Sequence, residues 1–149
     1  MPSIRTLLLG DDSATLRPSW VLPISTFLVT VAGYAAGVFA VAGGVVFVPG
    51  DAALVGLAVC GVVGYLRAGL VLAWGSAYGA LLGALADHAF FGLSGRTRLE
   101  QLTYFLEVDG LVFYAVQALV VGTLGFALGR LAVELKRVLT ERGVSKGAG

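Results

Sequence analysis

Residues 52–86 read AALVGLAVCGVVGYLRAGLVLAWGSAYGALLGALA, with Arg67 as their one charge. As a single helix this stretch would rise about 52 Å at 1.5 Å per residue, too long for a bilayer core about 30 Å thick. Folded at Leu66-Arg67-Ala68-Gly69 it becomes a hairpin, with arms 52–66 and 68–86 and the charge at its tip. On the N-terminal side, Val21 to Val48 is 28 residues without a charge, enough to cross with tilt to spare. Pro18 and Ser19 precede it, Ser19 suited to cap the helix and Trp20 to sit at headgroup level. Pro49-Gly50-Asp51 ends that helix and turns the chain. On the C-terminal side, 111–128 is the last apolar run and continues as a charged helix.

The expected fold is therefore all-α: an integral membrane bundle of four transmembrane helices with short interfacial helices. It is one membrane domain, 1–149. Residues 1–20 form a cytoplasmic N-terminal segment, 21–48 the first span, 52–66 a short second span and 68–86 the third. Residues 94–110 make an outer loop, 111–128 the fourth span and 129–149 a basic cytoplasmic tail. The arm 52–66 rises only about 22 Å. It either thins the bilayer, with Tyr65 and Arg67 snorkelling to the surface, or is a re-entrant segment lining a cavity.

Composition points the same way. Of 149 residues, 58% are hydrophobic and 13% charged, and the mean hydropathy is +0.92. Soluble domains carry about 25% charged residues, and a chain this small cannot hide so much apolar surface in its own core. A net charge of +1 leaves no basic footprint for nucleic acid. The single cysteine, Cys60, excludes a disulfide scaffold, and a chain without asparagine excludes N-glycosylation. The shortage of Lys, Ile and Asn fits a GC-rich prokaryotic genome. A cleaved signal peptide, with Ala40-Val41-Ala42 as its processing site, is the rival for the first span. The apolar stretch before it is too long and continues beyond it.

Basic residues set the orientation. With four spans and the N-terminus inside, Arg5, Arg17, Arg67, Arg130, Lys136, Arg137, Arg142 and Lys146 lie on the cytoplasmic side, and only Arg96 and Arg98 outside. Three spans would put the tail outside, against the positive-inside tendency. The expected location is the cell membrane, with Arg67, Lys136, Arg137 and Arg142 holding lipid headgroups.

Small residues recur every four positions: Ala32, Ala36, Ala40 and Gly44; Ala52, Gly56, Cys60 and Gly64; Gly75, Gly79 and Gly83; Gly125 and Gly129. Such stripes let helix backbones approach closely where lipid gives no hydrophobic drive for association. They serve either to pack the bundle or to join subunits. Asp87 follows on the third-span glycine face, then His88, with Glu107 and Asp109 just before the fourth span. These four are candidates for an ion or proton site at the outer surface, where carboxylates and an imidazole would attract cations. Interfacial placement is the plainer reading, and the spacing does not define a metal site. Among the polar residues within the spans, Gln117 calls for an interhelical hydrogen bond. No ionisable side chain lies near a midplane, which weighs against a proton-coupled carrier.

Thr97-Arg98-Leu99-Glu100 fits a capping box, opening a surface helix whose Leu99, Leu102 and Leu106 share a face suited to lie on the membrane. Ile4 to Leu9 makes a short interfacial turn closed by Gly10. In the tail, Arg130–Glu134 and Arg137–Glu141 are spaced as helical ion pairs. No nucleophile elbow, phosphate loop or zinc motif is present.

At Gly61-Val62-Val63-Gly64-Tyr65-Leu66-Arg67 and Gly75-Ser76-Ala77-Tyr78-Gly79-Ala80-Leu81-Leu82-Gly83 the chain resembles small Gly-rich multi-pass membrane proteins of haloarchaea. The resemblance covers about a third of the chain, and no functional residues carry over from it. The basic tail departs from the acidic surfaces usual in those organisms. The expected function is non-enzymatic and without cofactor or metal: a structural or accessory subunit, assembling with itself or another membrane protein through its Gly/Ala faces. The alternative is an oligomeric channel or transporter-like pathway for a small ion or solute, with an acidic, histidine-bearing mouth.

Overall fold

The computed structural model describes residues 3–10, 20–39, 49–93 and 95–146, the last five of these by backbone alone. Asp11, Asp12, Arg17, Ser19, the Ala40-Val41-Ala42 motif and Gly44 lie outside the described residues, as do the side chains of Arg142 and Lys146. Among the described residues the chain is all-helical. The helices are α1 (Ile4–Leu9), α2 (Val21–Ala35), α3 (Gly50–Tyr65), α4 (Leu70–Asp87), α5 (Arg98–Phe105) and α6 (Val108–Lys146). A π-helical turn, His88–Gly92, extends α4.

The hairpin turns where the sequence places it. Tyr65 is the last residue of α3, and the amides of Arg67 and Ala68 donate back to the carbonyls of Gly64 (3.2 Å) and Val63 (3.0 Å). This pair of bonds is a Schellman motif, which wants a left-handed residue after the cap, usually glycine. Here Arg67 fills that position at φ +56°.

The same motif shortens the first apolar helix. Gly37, at φ +70°, and Val38 donate to Tyr34 and Gly33 at 2.9 Å each. So α2 stops at Ala35 instead of running as one helix toward Val48, and Ala36 is its cap rather than a member of a packing stripe. Hydropathy alone registers no break at Gly37, because the residues on either side are as apolar as the helix. Pro49-Gly50-Asp51 also differs from a simple turn. Pro49 is the N-cap of α3, and Asp51 lies in its first turn, where a carboxylate suits the helix dipole.

Contacts between side chains order the bundle. Gly75, Gly79 and Gly83 of α4 meet Pro23, Phe27 and Thr30 of α2 in ascending order, so these helices run parallel. Gly56 of α3 meets Ala77 and Ala80, and Cys60 meets Ala73, so α3 runs antiparallel to α4. Trp74 packs on Gly122, and Tyr78 reaches Leu111, so α6 also opposes α4. The order is up, down, up, down, with α4 central: α2 covers one side, and α3 and α6 the other. Ala73, Ala77, Ala80 and Leu81 of α4 are fully buried.

Among the described residues, two helical segments are long and apolar enough to cross a bilayer, 70–92 and 108–141. The 15 residues of α2 and 16 of α3 are apolar but shorter, about 22 and 24 Å. At 39 residues, α6 reaches about 58 Å and projects well beyond the bundle.

Candidate functional site

The small-residue stripes of α3, α4 and α6 are occupied by the chain's own helices, whereas Ala32 and Ala36 of the first stripe are exposed. A methyl group at Gly83 would sit 2.7 Å from Thr30 Cβ and 2.9 Å from the Phe27 carbonyl oxygen, and one at Gly79 would strike the Pro23 carbonyl oxygen. Gly75 faces the Pro23 ring. On the other seam, Gly64 lies against the Phe126 backbone, Gly125 against Leu57 and Cys60, and Gly129 against the Gly61 carbonyl and the Tyr65 amide. Gly56 approaches Ala77 with room to spare, its nearest added contact being 3.4 Å. Cys60 is buried and donates its thiol hydrogen to the Ala73 carbonyl at 3.0 Å. Strict four-residue spacing misses one member of the seam: Gly122, which Trp74 covers. The alternating three–four series Ala115, Ala118, Gly122, Gly125, Gly129 identifies it.

Polar side chains inside the bundle are satisfied close to home. Thr26 and Thr30 donate to Leu22 and Thr26 carbonyls at 2.8 and 2.9 Å, and Ser76 to Leu72 at 2.8 Å. These are bonds to the preceding turn of the same helix. Between α4 and α6, Trp74 Nε1 donates to Thr123 Oγ1 at 3.0 Å. Gln117 has its amide oxygen buried on α6.

At the end of the bundle formed by the C-termini of α2 and α4, acidic residues gather around a tyrosine. The Tyr34 hydroxyl meets the backbone of Ala52, in the first turn of α3, and stands within electrostatic reach of the Asp51 and Asp87 carboxylates. The tyrosine thereby ties the end of α2 to the start of α3. The sequence offered Asp87 as a candidate but not Asp51 or Tyr34, because their meeting depends on how α2 crosses α4. His88 stacks beside Tyr104 of α5, ring centres 5.9 Å apart, while Glu107 and Asp109 are exposed. No group of three metal-ligating side chains is assembled among the described residues.

Helix α5 closes over this end. Its capping box forms in full: the Thr97 amide donates to Glu100 Oε2 at 2.8 Å, and the Glu100 amide to Thr97 Oγ1 at 3.3 Å. The bond from the Thr97 amide, with a second that the carboxylate accepts from the Thr97 hydroxyl at 3.0 Å, holds the Glu100 carboxyl below its ordinary range. Phe105 packs on Phe90, and Gln101 is buried with its Nε2 donating to the Leu93 carbonyl at 3.2 Å. Leu99, Leu102 and Leu106 face outward.

The opposite end is basic. Helix α1 docks on the α3–α4 turn, Gly10 touching Ala68 and Gly69 touching Leu9 backbone to backbone. Arg67 pairs with Glu134 of α6 at 3.8 Å, and Lys136 Nζ donates to the Tyr65 hydroxyl at 3.5 Å. Beyond the bundle, Arg137 pairs with Glu141 at 3.2 Å. Between α2, α4 and α6 lies an apolar groove of about 430 Å³, walled by Trp20, Pro23, Trp74 and Tyr78 and floored by Gly75, Ala115 and Ala118.

No protein-family model, curated protein or solved structure matches this chain.

Proposed function

We propose that the chain is a non-enzymatic integral membrane protein of four spans with both termini cytoplasmic, acting as a structural or accessory subunit in the cell membrane. One observation carries the membrane reading. The apolar segment of α6 has only 22% of its residues buried, and Val112, Val116, Val120, Leu124 and Leu128 are exposed. The core helix of a soluble protein would be covered, and a signal sequence would lie near the N-terminus; α6 fits neither. An exposed apolar face this long needs an apolar solvent.

The glycine seams of α3, α4 and α6 support packing within the bundle, one of the two roles their spacing allows. Because α2, α3 and α6 fill them, partners meet the long apolar side chains outside. The test is the mass of the assembly after gentle extraction from its native membrane, with each co-purifying chain identified. A stoichiometric foreign chain supports the accessory role; a lone monomer in every mild detergent argues against it.

A second reading, a pathway for a small cation, draws on the Asp51 and Asp87 carboxylates within electrostatic reach of Tyr34. It requires flux through reconstituted wild-type protein above empty vesicles, lowered by Asp87→Asn.

A further inference from the structure

We propose that the groove between α2, α4 and α6 holds one acyl chain of an anionic membrane lipid, its headgroup lying at the basic end of the bundle. This rests on the membrane reading above. The volume of about 430 Å³ is within the range of ordinary ligand sites, which are mostly apolar with few polar groups. Here the polar groups of the walls are already turned away from the groove's occupant: Trp74 Nε1 is held by Thr123, and the Tyr78 hydroxyl points to the Leu111 carbonyl at 3.4 Å. What remains facing the space is ring surface, Pro23, Gly75 and Ala115, which suits a hydrocarbon chain.

The choice of an anionic lipid comes from charge. The groove begins at Trp20 and Val71, and Val71 lies in the first turn of α4, just after the α3–α4 turn that carries Arg67. Helix α1, which carries Arg5, is docked on Ala68 and Gly69 at that same end, and Lys136 of α6 reaches Tyr65 there. The acidic groups Asp51 and Asp87 lie at the other end, beside Tyr34. A lipid entering with its chain along the groove thus places its phosphate at the end that carries Arg5, Arg67 and Lys136, beside the Arg67–Glu134 pair and away from Asp51 and Asp87.

The chain has two tryptophans, and both line the groove, so its intrinsic fluorescence reports the occupant directly. The full chain is reconstituted in phosphatidylcholine vesicles. Brominated-chain lipid, which quenches tryptophan on contact, is then added with either a phosphatidylglycerol or a phosphatidylcholine headgroup. The expected result is about fivefold preferential quenching by the anionic lipid, the effect of one basic residue near the surface. In Ala115→Phe, which fills the groove, quenching falls to that of bulk lipid for both headgroups. In Arg67→Gln the headgroup preference drops while quenching by the chain persists, and this variant keeps the test valid should Ala115→Phe fail to fold. Equal quenching by both headgroups overturns the anionic assignment. Tryptophans shielded from every brominated lipid overturn the proposal in favour of a second copy of the chain in the groove. Protein that does not float with the vesicles overturns the membrane reading itself, a failure distinct from the other two.

Discussion

At the residue scale, two glycines that each face a neighbouring helix differ sharply in what surrounds them. Gly83 has Thr30 Cβ within 2.7 Å of where a methyl would go, whereas at Gly61 the nearest atom is the Gly125 carbonyl at 3.8 Å. Gly83→Ala therefore should cost about 1–3 kcal/mol through overpacking. Gly61→Ala should be neutral or stabilising by up to about 1 kcal/mol, because it removes a flexible residue from a helix. Unfolding midpoints in mixed micelles measure both, and equal losses would contradict the intramolecular role of the third-span face. Arg67 allows a second comparison. Its left-handed backbone costs about 1–2 kcal/mol, and the Glu134 pair, with side chains 43% and 56% exposed, returns at most about 1 kcal/mol. Arg67→Gly should raise the midpoint, while Arg67→Ala should lower it, since alanine keeps the backbone penalty and loses the pair. An arginine retained in a glycine's place points to a role for its charge rather than for the turn.

At the scale of elements, α5 is the one whose stability depends on a titrating group outside the bundle. Glu100 accepts from the Thr97 amide and hydroxyl, which lowers its folded-state pKa. A lowered carboxyl contributes stability that is present above its unfolded pKa and disappears as pH falls through the folded value. With the intrinsic slowing of amide exchange at lower pH divided out, protection factors in 98–105 should accordingly fall on acidification, and Glu100→Gln should flatten that dependence while leaving protection in α3 and α4 unchanged. This helix was legible in the sequence because a capping box is local: two residues three apart decide it. The α3–α4 hairpin was legible for a similar reason, length against bilayer thickness, with Arg67 marking the tip. The end of α2 was not, since Gly37 is one glycine among many in an apolar run and only its φ distinguishes it. Nor was the Tyr34–Asp51–Asp87 grouping, which exists because two parallel helices end together, a fact of assembly that no spacing rule encodes.

At the scale of the whole molecule, the first and last helices reach the same turn. Helix α1 lies on the α3–α4 turn, and α6 passes the same turn at Glu134 and Lys136, so both terminal helices leave the bundle on one side. Four helices alternating in direction make this possible: α2 and α4 run away from that side, and α3 and α6 return to it. In a membrane the arrangement requires an even number of crossings and places α5 on the opposite face. In the reading proposed above, the basic residues Arg5, Arg67, Lys136 and Arg137 would put the shared side in the cytoplasm. The chain's single cysteine is buried, so Cys60→Ala gives a background without thiols in which position can be read one residue at a time. In that background Ser3→Cys and Thr140→Cys should react with a membrane-impermeant maleimide only after cells are opened, and Arg98→Cys should react in intact cells. Labelling of Ser3→Cys and Thr140→Cys from opposite sides would break the even count and, with it, the assignment of α2 as a crossing helix. Labelling of both from outside would keep the bundle and reverse its orientation.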